Sequence, residues 1–292
     1  MRNCKIATLG LLLLFNVLSN LCFAQSEPKK EVVIVDLFTR TNVVSSSIAE
    51  TARQNVIAGF AEKGRFTLID AETDATLKKL NAERPKEDVV DESNILNQDK
   101  EQAYKSLGAR YLITGSSTNY SSTSSTVNGK KVYKSVLDLS LKVFDINTGE
   151  VVAAEIIKGD SGYTSYPTQK EADASALTSI KASMASFVSQ YFKFETSILE
   201  LGDADKKGRV KEAYINGGSG IGVQKGTVFL VYKTKKIGTK IIKTQIGKLV
   251  ASEIDTDVTK CRVVDGEEEI KALFNNGVSL IVISDKDRFQ LF

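Results

Sequence analysis

Residues 136–145, VLDLSLKVFD, place Leu137, Leu139, Leu141 and Val143 at every second position, with Asp138, Ser140 and Lys142 between them. A period of two over that length describes a strand with one dry face and one wet face, so other elements must cover the sheet on one side. A run of another kind lies at 31–39, EVVIVDLFT. Its consecutive apolar residues, mostly β-branched, suit a central strand covered on both faces. Together the two runs call for a mixed sheet with flanking helices.

The intervening sequence supplies those helices. Ser47 to Glu50 reads as a capping box, and the helix after it buries a stripe through Ala49, Ala52, Val56 and Phe60 before stopping at Gly64. FTLID at 66–70 is a strand, expected parallel to the first with a right-handed crossover. Residues 71–83 pattern as a helix and 87–98 as an exposed charged excursion; Asp99 opens a short helix closed by Gly108. YLITGS at 111–116 is a strand, YSSTSST at 120–126 is polar on both faces, and Asn128-Gly129 is a strong two-residue hairpin signal. Strand 136–145 turns at Asn147-Thr148-Gly149 into strand 150–157. A second capping box, Thr168 to Glu171, starts a long helix that presents Ala176, Ile180, Phe187 and Tyr191.

The expected architecture is an α/β (α+β) domain at 25–200, a polar linker at 201–208 and a small all-β barrel or sandwich at 209–292. Five short strands fill the last unit, at 210–215, 227–233, 246–254, 260–264 and 279–284, with a helical turn at 268–274.

Residues 1–24 read as a secretory signal peptide: Arg2 and Lys5, then an apolar run, then Cys22 and Ala24 before a cut ahead of Gln25. Cys22 also admits a lipoprotein reading, although Asn20 and Leu21 are poor lipobox residues. Removing the leader takes Arg2 and Lys5 from a 292-residue chain of formal charge +3, leaving +1. So balanced a chain gives no electrostatic case for nucleic acid or for anionic lipid. Cys261 is then alone, without an intrachain disulfide partner, and its place in an apparent strand suits a small buried hydrophobe.

The chain has no histidine, which removes imidazole acid–base chemistry and His-ligated metal sites. The glycine-rich stretch INGGSGIGVQKG at 215–226 could cradle a phosphate, with Lys225 as cation, but a strand follows where a helix N-terminus is needed. Asp36, Asp70, Asp138 and Asp145 lie at strand ends with nothing to pair them at a defined separation. No catalytic, cofactor-binding or metal-ligating residue is therefore expected, and no enzyme. Candidate interaction residues are Tyr120, in a Ser/Thr-rich stretch that also reads as a solvated edge hairpin, and Tyr163 and Tyr166, in a loop that could equally pack onto the long helix.

EVVIVDLFT, GRFTLID, LGARYLITGS and VFDINTGEV together resemble the curli secretion channel (CsgG) family over about 31–194. INGGSGIGVQKGTVFLVYK and GKLVASEIDTDVTKCRVV are similar to the carboxy-terminal domain of a flagellar assembly protein (FlgT). Both resemblances imply non-enzymatic, CsgG-like envelope proteins that form rings or dock on larger machines, hence an exported scaffold or curli-type assembly factor. It would sit in the periplasm or on the periplasmic face of the outer membrane. Its partners would be envelope proteins and further copies of itself. The alternatives are an outer-membrane secretion channel subunit or a periplasmic ligand-binding protein. Channel members span the membrane with alternating hairpins; YSSTSST has no lipid-facing side, and 156–168 is broken by Gly159, Gly162 and Pro167.

Overall fold

A computed structural model describes residues 30–82, 98–162 and 164–285. The leader with Cys4 and Cys22, most of the charged excursion at 87–98, and Tyr163 lie outside the described residues. A mixed sheet runs in the order β3-β1-β4-β5-β6, from β1 (Glu31–Val35), β3 (Phe66–Asp70), β4 (Ala109–Val127), β5 (Lys130–Asp145) and β6 (Val151–Asp160); the two-residue β2 (Thr39–Arg40) pairs with β4. β1 is parallel to β3 and β4, while β4, β5 and β6 are antiparallel.

Helices α1 (Ser46–Glu62) and α4 (Gln169–Tyr191) cover one face; α2 (Ala75–Ala82) and α3 (Gln98–Ser106) cover part of the other. β1 is buried on both sides, Val33 and Val35 among the residues of α1 and α4 and Ile34 in the opposite cluster with Leu77 and Leu112. Leu137, Leu139, Leu141 and Val143 all face the larger core. Phe192, at the end of α4, packs edge-on to Phe60, Phe66 and Tyr111 with centroids 5.1–5.5 Å apart. α1 and α4 meet at Gly59, where a Cβ would run into Met184 and lie 2.9 Å from the Lys181 carbonyl. A mid-helix glycine costs about 1 kcal/mol in propensity, and here it permits the close approach.

The second unit is a closed antiparallel barrel, β10-β11-β8-β7-β12-β9. Its strands are β7 (Glu195–Leu201), β8 (Glu212–Asn216), β9 (Val228–Ile237), β10 (Lys240–Ile254), β11 (Val258–Asp265) and β12 (Leu280–Ser284), with helix α5 (Glu267–Asn275) before the last. β7 follows the long helix after only three residues, with no glycine or proline to announce it. It alternates around buried Ile198 and closes the barrel against β8 and β12. The polar stretch 201–208, expected as a linker, instead begins at the last residue of β7 and leads toward β8, held by Asp205 accepting from the Lys207 and Arg209 amides.

Other differences are local. The first strand breaks at Asp36, whose carboxylate takes the Leu37 amide at 2.8 Å. The first cap is Ser45 rather than Ser47: Ser45 is extended and accepts from Ile48 N at 3.3 Å, while Glu50 turns to Arg53. The helix expected from residue 71 starts at 75, because Asp74 accepts from the Thr76 and Leu77 amides. YSSTSST is an unbroken part of β4, its backbone laddered to β5 as far as the Asn128-Gly129 turn. Both turn residues have positive φ, as a type I′ hairpin requires.

Candidate functional site

The chemistry-bearing residues singled out in the sequence are dispersed. Asp36 is buried and within 3.4 Å of Asn81 Nδ2, Asp70 pairs with Arg53, Asp138 accepts from Asn119, and Asp145 caps the 147–149 turn. In the glycine-rich loop the amides of Gly217, Ser219, Gly220 and Gly226 donate to the carbonyls of Asp257, Asp255, Thr256 and Ala251. They are spent on the barrel, so the loop offers no phosphate cradle. Cys261 is fully buried, and burial pushes its thiol up to about 12.

A cleft of about 430 Å³ lies between sheet and barrel, lined by Lys30, Glu31, Arg65, Arg110, Lys193 and Phe194 among others. Three of its cations already have partners: Arg110 pairs with Glu31, Arg65 lies 3.6 Å from the same carboxylate and stacks on Phe194, and Lys193 reaches Asp285 at 3.1 Å. The Arg65–Phe194 and Lys193–Asp285 contacts lie at the junction of the two units.

Tyr120 and Tyr166 meet the start of α4. Tyr120 donates to Asp173 Oδ1 at 2.8 Å, Ser135 donates to the same oxygen at 2.6 Å, and Gln169 donates to the Tyr120 hydroxyl at 3.0 Å. Burial, opposed by Gln169 and reinforced by Asp173, holds the Tyr120 phenol above its ordinary value, so it stays a donor. Tyr166 exchanges backbone hydrogen bonds with Tyr133 and donates its hydroxyl to Ser175 at 2.7 Å. Tyr120 and Tyr166 are thus half-buried pins that hold α4 against the β4–β5 ribbon.

What those pins position is the edge of the sheet. β6 is terminal, and no strand pairs with its outer side among the described residues. Ala153, Ile157 and Gly159 are buried, Gly159 so close to α4 that a Cβ would sit 2.7 Å from the Ala176 carbonyl. Val151, Val152 and Ile156 are exposed, Ile156 at 60%. Beside this edge an open groove of about 620 Å³ runs along the outer face of α4, lined by Asp160, Tyr166, Ala174, Ser175, Thr178 and Ala182. Sequence reading took 150–157 as an ordinary strand and missed the edge, because an edge is a property of sheet order. The available signal was the Val-Val at 151–152 followed by Ile156, which breaks the alternation seen in β5.

No protein-family model matches the chain, and no curated protein matches it. Solved structures do. A PelC dodecamer from Paraburkholderia phytofirmans is 13% identical over 55% of this chain and 95% of that one, with a TM-score of 0.33. The LpoB C-terminal domain from Escherichia coli is 19% identical over 48% and 90%, TM-score 0.30. Lipoprotein GNA1162 from Neisseria meningitidis is 11% identical over 53% and 99%, TM-score 0.30. At these values none of them fixes a residue correspondence.

Proposed function

We propose that this chain is an exported, non-enzymatic scaffold or assembly factor of the bacterial cell envelope, CsgG-like, that acts through protein–protein contact. The reading rests on the open edge of β6. A ten-residue terminal strand with exposed Val151, Val152 and Ile156 beside a shallow groove is suited to strand addition. The edge also carries Glu155, Lys158 and the terminal Asp160, charges of the kind that discourage indiscriminate strand pairing, so a partner must accommodate them. The occupant is a further copy of the chain or an envelope protein.

Ile156→Lys tests this. The side chain is largely exposed in the single chain, so the melting temperature should hardly move. Burying an isoleucine contributes about 1.5–3 kcal/mol, so a self-association or a partner crosslink that uses this edge should weaken about tenfold or more. Mass by light scattering and crosslinking in cell envelopes are the readouts. A wild-type chain that is monomeric and uncrosslinked in the envelope would overturn the proposal, as would an assembly indifferent to Ile156→Lys.

A further inference from the structure

The β9–β10 hairpin runs on past the barrel. β12 pairs with β9 only as far as Lys233, and β11 pairs with β10 only from Lys248 onward. Beyond these points residues 234–243 pair with each other alone, around a two-residue Gly238-Thr239 turn in which Gly238 has φ +61°. The result is a two-stranded ribbon reaching about 15 Å beyond the last barrel pairing.

Its composition is sharply biased. Residues 233–245 contain Lys233, Lys235, Lys236, Lys240 and Lys243, three isoleucines and no carboxylate. Lys233 pairs with Glu269 and Lys243 with Glu195, both outside the ribbon. Lys235, Lys236 and Lys240 carry the remaining charge. Ile237, Ile241 and Ile242 are all exposed, Ile241 at 67%. A near-neutral chain therefore concentrates unneutralised positive charge on one projection.

The register decides which partner suits it. Ile237 is paired with Lys240 and Ile242 with Lys235, which sets these four on one face; Ile241 is paired with Lys236 on the other. Each face carries both an apolar side chain and a cation. A protein surface covers one face of a ribbon and leaves the other wet. A bilayer interface surrounds an inserted tip, takes isoleucine from both faces, and lets the lysine stems reach back to the headgroups. The β4–β5 ribbon makes the contrast: its tip has Lys130, Lys131 and Lys134 but only Val127 as an exposed large apolar residue, among serines and threonines.

We propose that the β9–β10 ribbon is a peripheral membrane-docking element that inserts Ile237, Ile241 and Ile242 at the surface of a bilayer carrying anionic phospholipid. The attachment is interfacial, and no helix among the described residues is long and apolar enough to cross a membrane.

The test uses the chain from Gln25 onward, so that the apolar leader contributes nothing. It is sedimented with phosphatidylcholine vesicles that do or do not contain phosphatidylglycerol. Binding should require the anionic lipid and weaken, without vanishing, between about 0.05 M and about 0.5 M salt. Each basic residue near such a surface is worth about fivefold in affinity, so Lys235→Gln/Lys236→Gln/Lys240→Gln should lose about a hundredfold. Ile237→Ser/Ile241→Ser should remove the salt-resistant part, about tenfold. All five side chains point to solvent, and unchanged thermal melts verify folding. Ile156→Lys should bind vesicles as the wild type does, which separates this proposal from the β6 reading. Failure of the wild type to bind the anionic vesicles overturns it, and so do variants that bind as wild type. Equal binding to a soluble polyanion with the isoleucine variant unaffected would make the ribbon a contact for acidic macromolecules, and would overturn it too.

Discussion

Arg53 offers a sharp check on the energetics of the first domain. Its guanidinium is fully buried on α1 and donates to Glu50 at 2.9 Å, to Asp70 at the end of β3 at 2.6 Å and to Glu72 beyond it at 2.5 Å. The arginine therefore ties the helix to the edge of the sheet it crosses. Removing one member of a buried ion pair costs about 3–5 kcal/mol, because the partner's charge is left uncompensated. Here the partners differ in exposure: Asp70 is 18% exposed, but Glu50 is 41% and Glu72 52%. Water can compensate the two glutamates, so Arg53→Met should cost about 2–4 kcal/mol. That corresponds to a melting temperature lower by about 5–10 °C.

The pH dependence distinguishes lost charge from lost packing. Burial pushes the Asp70 and Glu50 carboxyls up, but the hydrogen bonds from Arg53 and their neighbours outweigh it and hold both below their ordinary values of 3.8 and 4.5. Acids depressed in the folded state contribute stability that is present above the unfolded value and lost as pH falls through the folded one. The gap between wild type and Arg53→Met should be full at pH 7 and should close below about pH 4. Urea midpoints followed by far-UV circular dichroism measure it. Equal midpoints at pH 7 would refute the argument, and a gap undiminished in acid would assign the effect to packing alone.

Two further outcomes follow from close packing. Gly59→Ala should destabilise by about 1–3 kcal/mol in the same urea assay, because overpacking against Met184 exceeds the gain of about 1 kcal/mol in helix propensity. Cys261 should resist a thiol reagent at pH 8 in the native protein and react fully in urea, since its thiol is buried and raised to about 12; rapid native labelling would mean that the barrel opens.

Much of the first domain could be read from periodicity. The alternation at Leu137, Leu139, Leu141 and Val143 and the two-sided burial of 33–35 are local patterns with one structural solution each, and Asn128-Gly129 fixes the hairpin that follows. The first cap was harder to place because Ser45, Ser46 and Ser47 are all competent, and only the path of the chain out of β2 selects Ser45. β7 escaped notice because nothing in 192–195 interrupts the helix pattern with a turn residue. The Tyr120–Asp173 bond joins residues 53 apart, and no spacing rule reaches that far.

The ribbon at 234–243 carries a signal unlike that of the buried strands. Burial patterning marks the barrel strands, and a segment of lysine and threonine with exposed isoleucine has none. The whole-chain charge is near zero, and such a sum erases its own distribution. Over 233–245 the sum is +5, and the missing carboxylates were visible in the sequence all along.

The proposed scaffold role requires contact surfaces held in fixed relation, and the junction between the two units holds sheet and barrel together. Arg65, at the entry to β3, lies over the rings of Phe66 and Phe194 at 5.4 and 5.0 Å, so one cation clamps an aromatic side chain from each side. Gln224 donates to the Glu62 carbonyl at 3.3 Å, and Gly222 sits so close to the Lys63 backbone that a side chain there would collide. The glycine-rich loop is therefore accounted for as the barrel's seat on the end of α1. If β9–β10 meets a bilayer while β6 meets a protein, this seat couples the two events: whatever pairs with the edge is presented at a set distance from the membrane, which a freely jointed linker at 201–208 could not have provided.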